Sequence, residues 1–373
     1  MTEPFVIPIH TSDRLSFKNC RRRWDILSDN RMGRKPVESP RPLEFGSAFH
    51  AGMAAFYQPK TWDMTLDDRR PIMVASAIAA FKESMIGTKA RFLELTGADA
   101  LEDEAQAEFL EDMELGPGMF LHYFDYVQRH NMDRFRPIAT EASFEVDIFT
   151  PEEIQFYFPE LWAAHPEGVR IVYRGRLDTL VEDEWGEYWI VDWKTTARMR
   201  DNMAFLEVDE QLPSYNWAME HMLGIKIAGN MYAEIYKAFP QPLPENKVLR
   251  LGRRFSVNKQ NPTSADIVIA QLKAAGEPLE LYEDYLNFLL AEGITYVRRT
   301  PMHRNRHELN EMGERIKMEV REQLNPDLLI YPSPSPFKCD GCPVRPVCIG
   351  MNDGSDVEYI LNTYTTIEMR TNG

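Results

Sequence analysis

Cysteine is scarce, with four residues among 373. That excludes a disulfide framework and leaves the thiols either idle or available as metal ligands. Long hydrophobic runs are missing too: no segment approaches the ~18 consecutive apolar residues of a membrane span. The start, Met1-Thr2-Glu3-Pro4, lacks the basic-then-apolar pattern of a secretory signal. The chain is therefore expected to be intracellular and cytoplasmic, with no membrane partner. Positive charge is in deficit: 42 Lys and Arg against 58 Asp and Glu leave a net charge of −16. A surface of that sign excludes loose, whole-surface binding to nucleic acid or anionic lipid, so any such contact must be local. No G-x-x-x-x-G-K-[ST] loop is present, which excludes a nucleotide-driven motor of that type, and no internal repeat is visible. The 44% hydrophobic and 27% charged fractions exclude wholesale disorder and a coiled-coil rod. The length suits two or three units or one enlarged domain.

The pattern along the chain changes period several times. Thr11-Ser12-Asp13 offers cap oxygens to a short helix running towards Cys20 and Trp24, with Lys18, Arg21, Arg22 and Arg23 on it. A second helix is expected after Gly46, bearing His50. From about Ile72 to Val127 apolar residues recur at helical spacing. Nine acidic residues and no basic one lie between Glu94 and Glu114, readable as a solvated helix face or as a partner-docking, DNA-mimicking surface. From Ile138 the period becomes two: Glu141 to Phe149, Val169 to Val181 and Tyr188 to Thr195 read as strands, the last two as a hairpin around Glu184-Trp185-Gly186. A helix around Leu212 to Leu223, strands at Met231 to Ala238 and Val248 to Val257, and a loop at Lys259 to Ser264 are expected next. A helix with Leu281, Tyr285 and Leu289, a strand at Ile294 to Arg299, a charged helix from Glu308 to Leu324 and an extended Pro332 to Pro336 connector complete the reading.

The hairpin concentrates charge. Gly175-Arg176-Leu177-Asp178 lies on one strand and Asp192-Trp193-Lys194 on the next. Strand alternation places Asp192 and Lys194 on one face and Trp193 on the other. With a turn centred on Trp185, Asp178 falls opposite Asp192, their Cβ atoms roughly 5 Å apart; a slip of one residue would part them. Two facing carboxylates repel, and a hard divalent ion relieves that repulsion. A neighbouring lysine can hold an attacking water or a developing oxyanion. The bland alternative is a surface Asp–Lys ion pair. Gln211 and Tyr215, four apart, share one face of the next helix. His50 is the one ionisable residue in Gly46-Ser47-Ala48-Phe49-His50-Ala51-Gly52, and a structural histidine is its alternative.

Taken in order, G-x-x-x-H (Gly46, His50), G-x-x-D (Gly175, Asp178), D-x-K (Asp192, Lys194) and Q-x-x-x-Y (Gln211, Tyr215) resemble the RecB-like branch of the PD-(D/E)XK nucleases. The departures are Leu177 in place of the proline of the name and Asp192 at the Asp/Glu position. The resemblance implies an α/β fold, a restriction-endonuclease-like core in which a central mixed sheet is flanked by helices, with a helical insert. It implies Mg²⁺ or Mn²⁺ held by His50, Asp178, Asp192 and the backbone carbonyl of Trp193. Lys194 would position water, and Gln211 and Tyr215 would contact the lysine side of the site or the DNA phosphate. The implied activity is that of a metal-dependent DNA exonuclease acting on single-stranded or duplex ends in recombination or repair, encoded by a phage or mobile element. The alternative is a catalytically quiet DNA-end binding or adaptor subunit of a recombination or CRISPR-adaptation complex. A second copy of the chain and recombination-complex proteins are further candidate partners. Arg21 to Arg23, Arg298, Arg299, Arg304 and Arg306, interleaved with Phe17, Trp24 and Tyr296, are candidate strand guides, or else solvated charges with buried neighbours.

Cys339, Cys342 and Cys348 form C-x2-C-x5-C, and Cys20 stands about 320 residues earlier. Four thiolates suit tetrahedral zinc or a [4Fe–4S] cluster. The one-plus-three arrangement resembles the iron–sulfur nucleases, AddB-type subunits and CRISPR-associated exonucleases, and implies a [4Fe–4S] staple joining the N- and C-terminal segments. A zinc-stapled structural protein whose acidic insert binds partners is the remaining alternative. The expected organisation is 1–60 with Cys20 and His50, a helical insert over 61–136, a nuclease core over 137–324, an iron–sulfur segment over 325–350 and a tail over 351–373, all in one composite domain.

Overall fold

In the computed structural model, residues 3–38, 40–199, 201 and 203–367 are described; residues 368–373 of the expected tail lie outside them. The α/β class holds, with a mixed six-stranded sheet flanked by helices. β1 (Phe5–Ile9) leads into α1 (Thr11–Asn19) and α2 (Arg21–Leu27). These replace the single helix expected there, because Cys20 is extended (φ −165°, ψ 112°) and interrupts the run. α3 (Arg41–Phe56) starts ahead of Gly46, with a proline in its first turn. α4 (Leu66–Thr96) and α5 (Asp103–Arg129) are the expected helical stretch; the Thr65 side chain caps α4 by accepting from the N–H of Asp68.

β2 (Phe135–Asp147) is followed by two helices that the apolar period did not reveal, α6 (Pro151–Tyr157) and α7 (Pro159–Ala164). Each opens on a proline, and a Thr150/Glu153 capping box starts the first. β3 (Val169–Asp183) and β4 (Tyr188–Thr196) form the hairpin; α8 (Met203–Leu206), α9 (Gln211–Leu223) and β5 (Ile227–Tyr236) follow. The single strand expected from Val248 to Val257 is instead β6 (Glu245–Arg250) and β7 (Arg253–Phe255). Leu251 and Gly252 between them both take positive φ, 55° and 77°, and reverse the chain. α10 (Ala265–Ala275) precedes α11 (Glu283–Glu292), and Leu281 sits in the 3₁₀ turn before α11 rather than in a helix with Tyr285 and Leu289. β8 (Val297–His303), α12 (Arg306–Gln323), α13 (Pro336–Cys339), α14 (Arg345–Asp353) and α15 (Val357–Leu361) complete the chain. Among the described residues no helix is long and apolar enough to cross a membrane.

β3 organises the sheet by having two successive partners along one edge. Val169 to Tyr173 pair in parallel with β1, and Thr179 to Glu182 pair antiparallel with β4. β2 runs antiparallel along the other edge, and β4, β5 and β8 extend the sheet. Between Tyr173 and Thr179 the strand has passed β1 and not yet met β4. Asp178 lies at the end of that gap.

Each face of the sheet buries its own core. On one face Phe45, Phe49, Phe81, Phe120 and Tyr123 of α3, α4 and α5 pack against Val181, Val191 and Trp193. On the other, Trp217 of α9 and Met312, Ile316 and Val320 of α12 pack against Ile171, Leu180 and Ile190. The helical insert thus supplies one wall of the sheet's core. Part of the acidic stretch is folded onto Arg41, which donates to Asp112 at 2.9 Å and pairs with Glu108 and Glu111; it is not a wholly solvated face. Ile26 of α2 meets Val344, Val347, Leu361 and Tyr364 in a small apolar cluster that joins the two ends of the chain. Gly52, two residues beyond His50, lets α3 approach α5: a Cβ there would fall 2.2 Å from Phe120 and 3.0 Å from the carbonyl oxygen of Ala77. Gly52→Ala should therefore lower stability by about 1–3 kcal/mol in denaturant unfolding, the usual cost of overpacking.

Candidate metal-dependent active site

The turn that sets the hairpin is built locally. Asp183 Oδ1 accepts from the N–H groups of Trp185 and Glu187, both at 2.9 Å, and Gly186 takes φ 80°. The resulting register pairs Thr179 with Val191 and Leu180 with Ile190, which is the register expected from a turn centred on Trp185. Pairing stops one step short of Asp178 and Asp192. There the Asp178 carboxylate takes over from the ladder, its Oδ2 accepting from the N–H of Trp193 at 2.8 Å.

Two further residues converge on Asp178. His50, carried by α3, places Nδ1 3.1 Å from Asp178 Oδ1. Glu141 falls opposite Asp178 on β2, at a point where the β2–β3 pairing skips from Thr140–Thr179 to Ala142–Leu177. Glu141 has φ 49°, a left-handed conformation unusual for a residue other than glycine, and such strain in a strand gathers at functional sites. Ligand atoms of His50, Glu141 and Asp178 all lie within 4.8 Å of one another. Glu141 is the site residue that sequence reasoning passed over. It also pairs with Arg176 at 2.6 Å, and Arg176 is two-thirds exposed.

Asp192 lies outside that close trio but shares its field. It is 3% exposed, accepts from the Lys194 ammonium at 2.9 Å through Oδ1, and leaves Oδ2 buried without a hydrogen-bond partner among the described residues. Burial, with the charge of Asp178 added and Lys194 opposing, pushes the Asp192 carboxyl up to about 6. Burial would raise Asp178 as well, but the hydrogen bond and charge of His50 outweigh it and hold this carboxyl below its usual range. Burial would lower His50 and Lys194; the carboxylates outweigh it in both, so both are raised. Lys194 is therefore an ammonium at neutral pH, a donor and not a base.

The donor set fits a hard divalent cation: carboxylate oxygens and one imidazole nitrogen, together with an orphaned buried oxygen on Asp192 that lacks a positive partner of its own. Gln211 and Tyr215 share a face of α9 as expected, Gln211 Nε2 donating to Tyr215 Oη at 3.4 Å, and the Tyr215 ring lies edge-on to Phe144 at 5.3 Å. Asp209 receives the N–H of Leu212 at 3.0 Å, so Pro213 sits in the first turn where its missing donor is harmless.

The strand-guide expectation is corrected for the three rings and for the buried Arg299 and Arg304. Phe17, Trp24 and Tyr296 are 4%, 2% and 2% exposed and present no face on which a base could stack. Arg299 is buried and bound to Asp133 at 2.7 Å, and Arg298 donates to Glu234 at 2.8 Å. Arg21 pairs with Glu322 and Arg22 donates to Asn352 at 2.8 Å, while Arg23 has its Nε buried. Arg304 donates to the carbonyl of Leu206 at 2.7 Å and Arg306 pairs with Glu220. In a chain so acidic, most of these cations meet an internal anion or carbonyl first.

The cysteine expectation is corrected as well. Cys20, Cys339, Cys342 and Cys348 are all free and line one cavity of about 440 Å³. Among the described residues no three of these thiols lie within 4.8 Å of one another, so they are not clustered as the ligands of one ion would be. Cys20 accepts from the N–H of Ser333 and Cys348 from Arg22 instead. They come from an extended link, the end of a one-turn helix, a turn and the interior of α14, and neither a [4Fe–4S] cluster nor structural zinc is supported by their arrangement. What ties the termini is the apolar cluster of Ile26 with Val344 and Val347.

A charged lysine beside a buried carboxylate, next to a histidine and two acids at a break in a mixed sheet, is an arrangement that could hold a metal ion and suits metal-dependent hydrolysis. The family model of the PD-(D/E)XK nuclease superfamily matches residues 13–349, and the chain belongs to that superfamily. No curated protein matches the chain.

Proposed function

We propose that the protein is a metal-dependent DNA exonuclease of recombination or repair. The observation that carries the reading is the convergence of His50, Glu141 and Asp178 beside the buried Asp192–Lys194 pair. His50, Asp178 and Glu141 would hold Mg²⁺ or Mn²⁺, with Asp192 turning its unpartnered Oδ2 towards the same charge. When bound, such an ion supplies Lewis acidity towards phosphoryl oxygen and water. Lys194, kept protonated by its carboxylates, donates a hydrogen bond to the attacking water or to a phosphoryl oxygen as negative charge grows there. Tyr215 and Gln211 stand on α9 as polar contacts for the phosphate.

The exonuclease reading is supported by the order of the four motifs, which resembles the RecB-like branch; with no G-x-x-x-x-G-K-[ST] loop, the nuclease is read as acting without a helicase motor of that type. Its test is digestion of 5′- and 3′-labelled single and double strands with Mg²⁺ or Mn²⁺. Release of short products from one end is expected. Internal nicking of a covalently closed circle would make it an endonuclease, and end binding without cleavage would make it an adaptor. Glu141→Ala should weaken Mn²⁺ binding by at least about 10-fold in calorimetry; unchanged affinity would remove Glu141 from the ligand set.

A further inference from the structure

Behind the site, on the opposite face of β4, lies a charged cluster at the centre of an otherwise apolar core. Trp193 is 1% exposed. Its indole is stacked on Tyr57 (centroids 5.1 Å apart, 6° between planes), met edge-on by Tyr123 at 6.1 Å, and faced by the Arg299 guanidinium 5.6 Å from its centroid. Its Nε1 donates to Thr179 on β3 at 3.1 Å. Arg299 in turn donates to Tyr57 Oη at 2.8 Å, to Asp133 at 2.7 Å and to Tyr123 Oη, while Tyr57 Oη donates to Asp133 at 3.0 Å. Burying an ion pair in such surroundings gains little stability over apolar packing. The arrangement does fix the position and tilt of two phenol rings, and through them an indole.

That indole belongs to the residue between Asp192 and Lys194, and its peptide N–H is the group that holds Asp178. Tyr57 is tied to the site a second way. It directly follows α3, seven residues from His50 and hence two turns along the same face. One face of α3 therefore touches the site at both ends, through His50 on Asp178 and through Tyr57 on Trp193. We infer that the Tyr57–Trp193 stack, braced by Arg299, Asp133 and Tyr123, is a positioning device that aligns the helix-borne histidine with the strand-borne carboxylates. This rests on the metal-site reading above. The side chains of the stack act through their neighbours and touch neither ion nor substrate; Trp193 meets the site only through its backbone.

The test is Mn²⁺ titration of the full chain by calorimetry, alongside thermal melting, for wild type, Tyr57→Leu, Tyr57→Phe and Trp193→Phe. Tyr57→Leu removes the stack and should raise the Mn²⁺ dissociation constant about 10- to 100-fold, the range typical when support behind metal ligands is lost. Tyr57→Phe keeps the ring and should stay within about 3-fold of wild type, although its melting temperature falls because a buried hydrogen-bond network is broken. A purely structural role predicts the opposite pattern, with melting temperature lowered and Mn²⁺ affinity of the folded protein unchanged in every variant; that result would overturn the inference. If Tyr57→Leu does not fold, Trp193→Phe decides, since it shrinks the stacked surface from the other side: weaker binding supports the device and unchanged binding refutes it. Wild type that binds no Mn²⁺ would overturn the metal-site reading itself, a failure distinct from variants that bind as well as wild type.

Discussion

Replacing Asp192 by asparagine should reduce metal-dependent cleavage by roughly 10³-fold or more, and Lys194→Ala by about 10²–10³-fold, with both proteins still folded. The magnitudes are those seen when one preorganised charge or donor is removed from a hydrolytic site. Asp192 is buried with one oxygen unpartnered and its carboxyl pushed up to about 6, so in the protein alone its charge is a burden on the fold. Asparagine lifts that burden without changing the side-chain shape, and the melting temperature should hold or rise. Lys194 is one-third exposed, and losing it leaves the charge of Asp192 without its ammonium, so Lys194→Ala should melt slightly lower. Because the two side chains act on one centre, the double variant should be hardly worse than the weaker single one. Single-turnover assays at saturating Mn²⁺ measure this directly; near wild-type rates in either single variant would dismiss the assignment.

His122→Leu should flatten the dependence of stability on pH between about 6.5 and about 4 by about 3 kcal/mol. His122, on α5, is 9% exposed, both ring nitrogens lack hydrogen-bond partners among the described residues, and its ring meets Tyr296 edge-on at 5.2 Å. Burial, reinforced by the charge of Arg129, lowers its pKa to about 4, whereas the unfolded chain binds the same proton near 6.5. Above 6.5 neither state is protonated and the stability is fully present. As pH falls through this window the unfolded state gains a proton that the folded state refuses, and about 1.4 kcal/mol is lost per unit. Leucine removes the titration, and at pH 7 it should not destabilise, because an unpartnered buried ring costs desolvation that an alkyl group does not. Urea denaturation of both proteins at pH 7 and pH 4.5 gives the difference. Parallel losses in the two would show that His122 is hydrated.

The hairpin and its charged pair were legible because everything that places them is close in the chain. The Asp183–Glu187 turn sets the register through its own hydrogen bonds, and strand alternation then puts Lys194 beside Asp192 and Trp193 behind them. The helical run from Ile72 to Val127 and the pairing of Gln211 with Tyr215 rest likewise on spacing within one element. Glu141 was not legible. It reaches Asp178 only through the β2–β3 register, and the two strands are joined through α6 and α7 with no tight turn to fix it. The strand-like run at Val248 failed because apolar period does not record the sign of φ at Leu251 and Gly252.

The sequence by itself determined the α/β class, the acidic charge balance, the carboxylate–lysine strand and the superfamily to which the chain belongs, since these follow from residue type, local periodicity and spacing. Only the tertiary structure decided which charges are functional and which are spent. Arg299 and Arg298 look alike beside each other in the chain, yet one is sealed behind Trp193 and the other braces Glu234. The four cysteines line one cavity without gathering as ligands. Such outcomes depend on contacts between segments far apart in sequence, where a displacement of a few ångströms separates a ligand from a neighbour, and no spacing within one element carries that information.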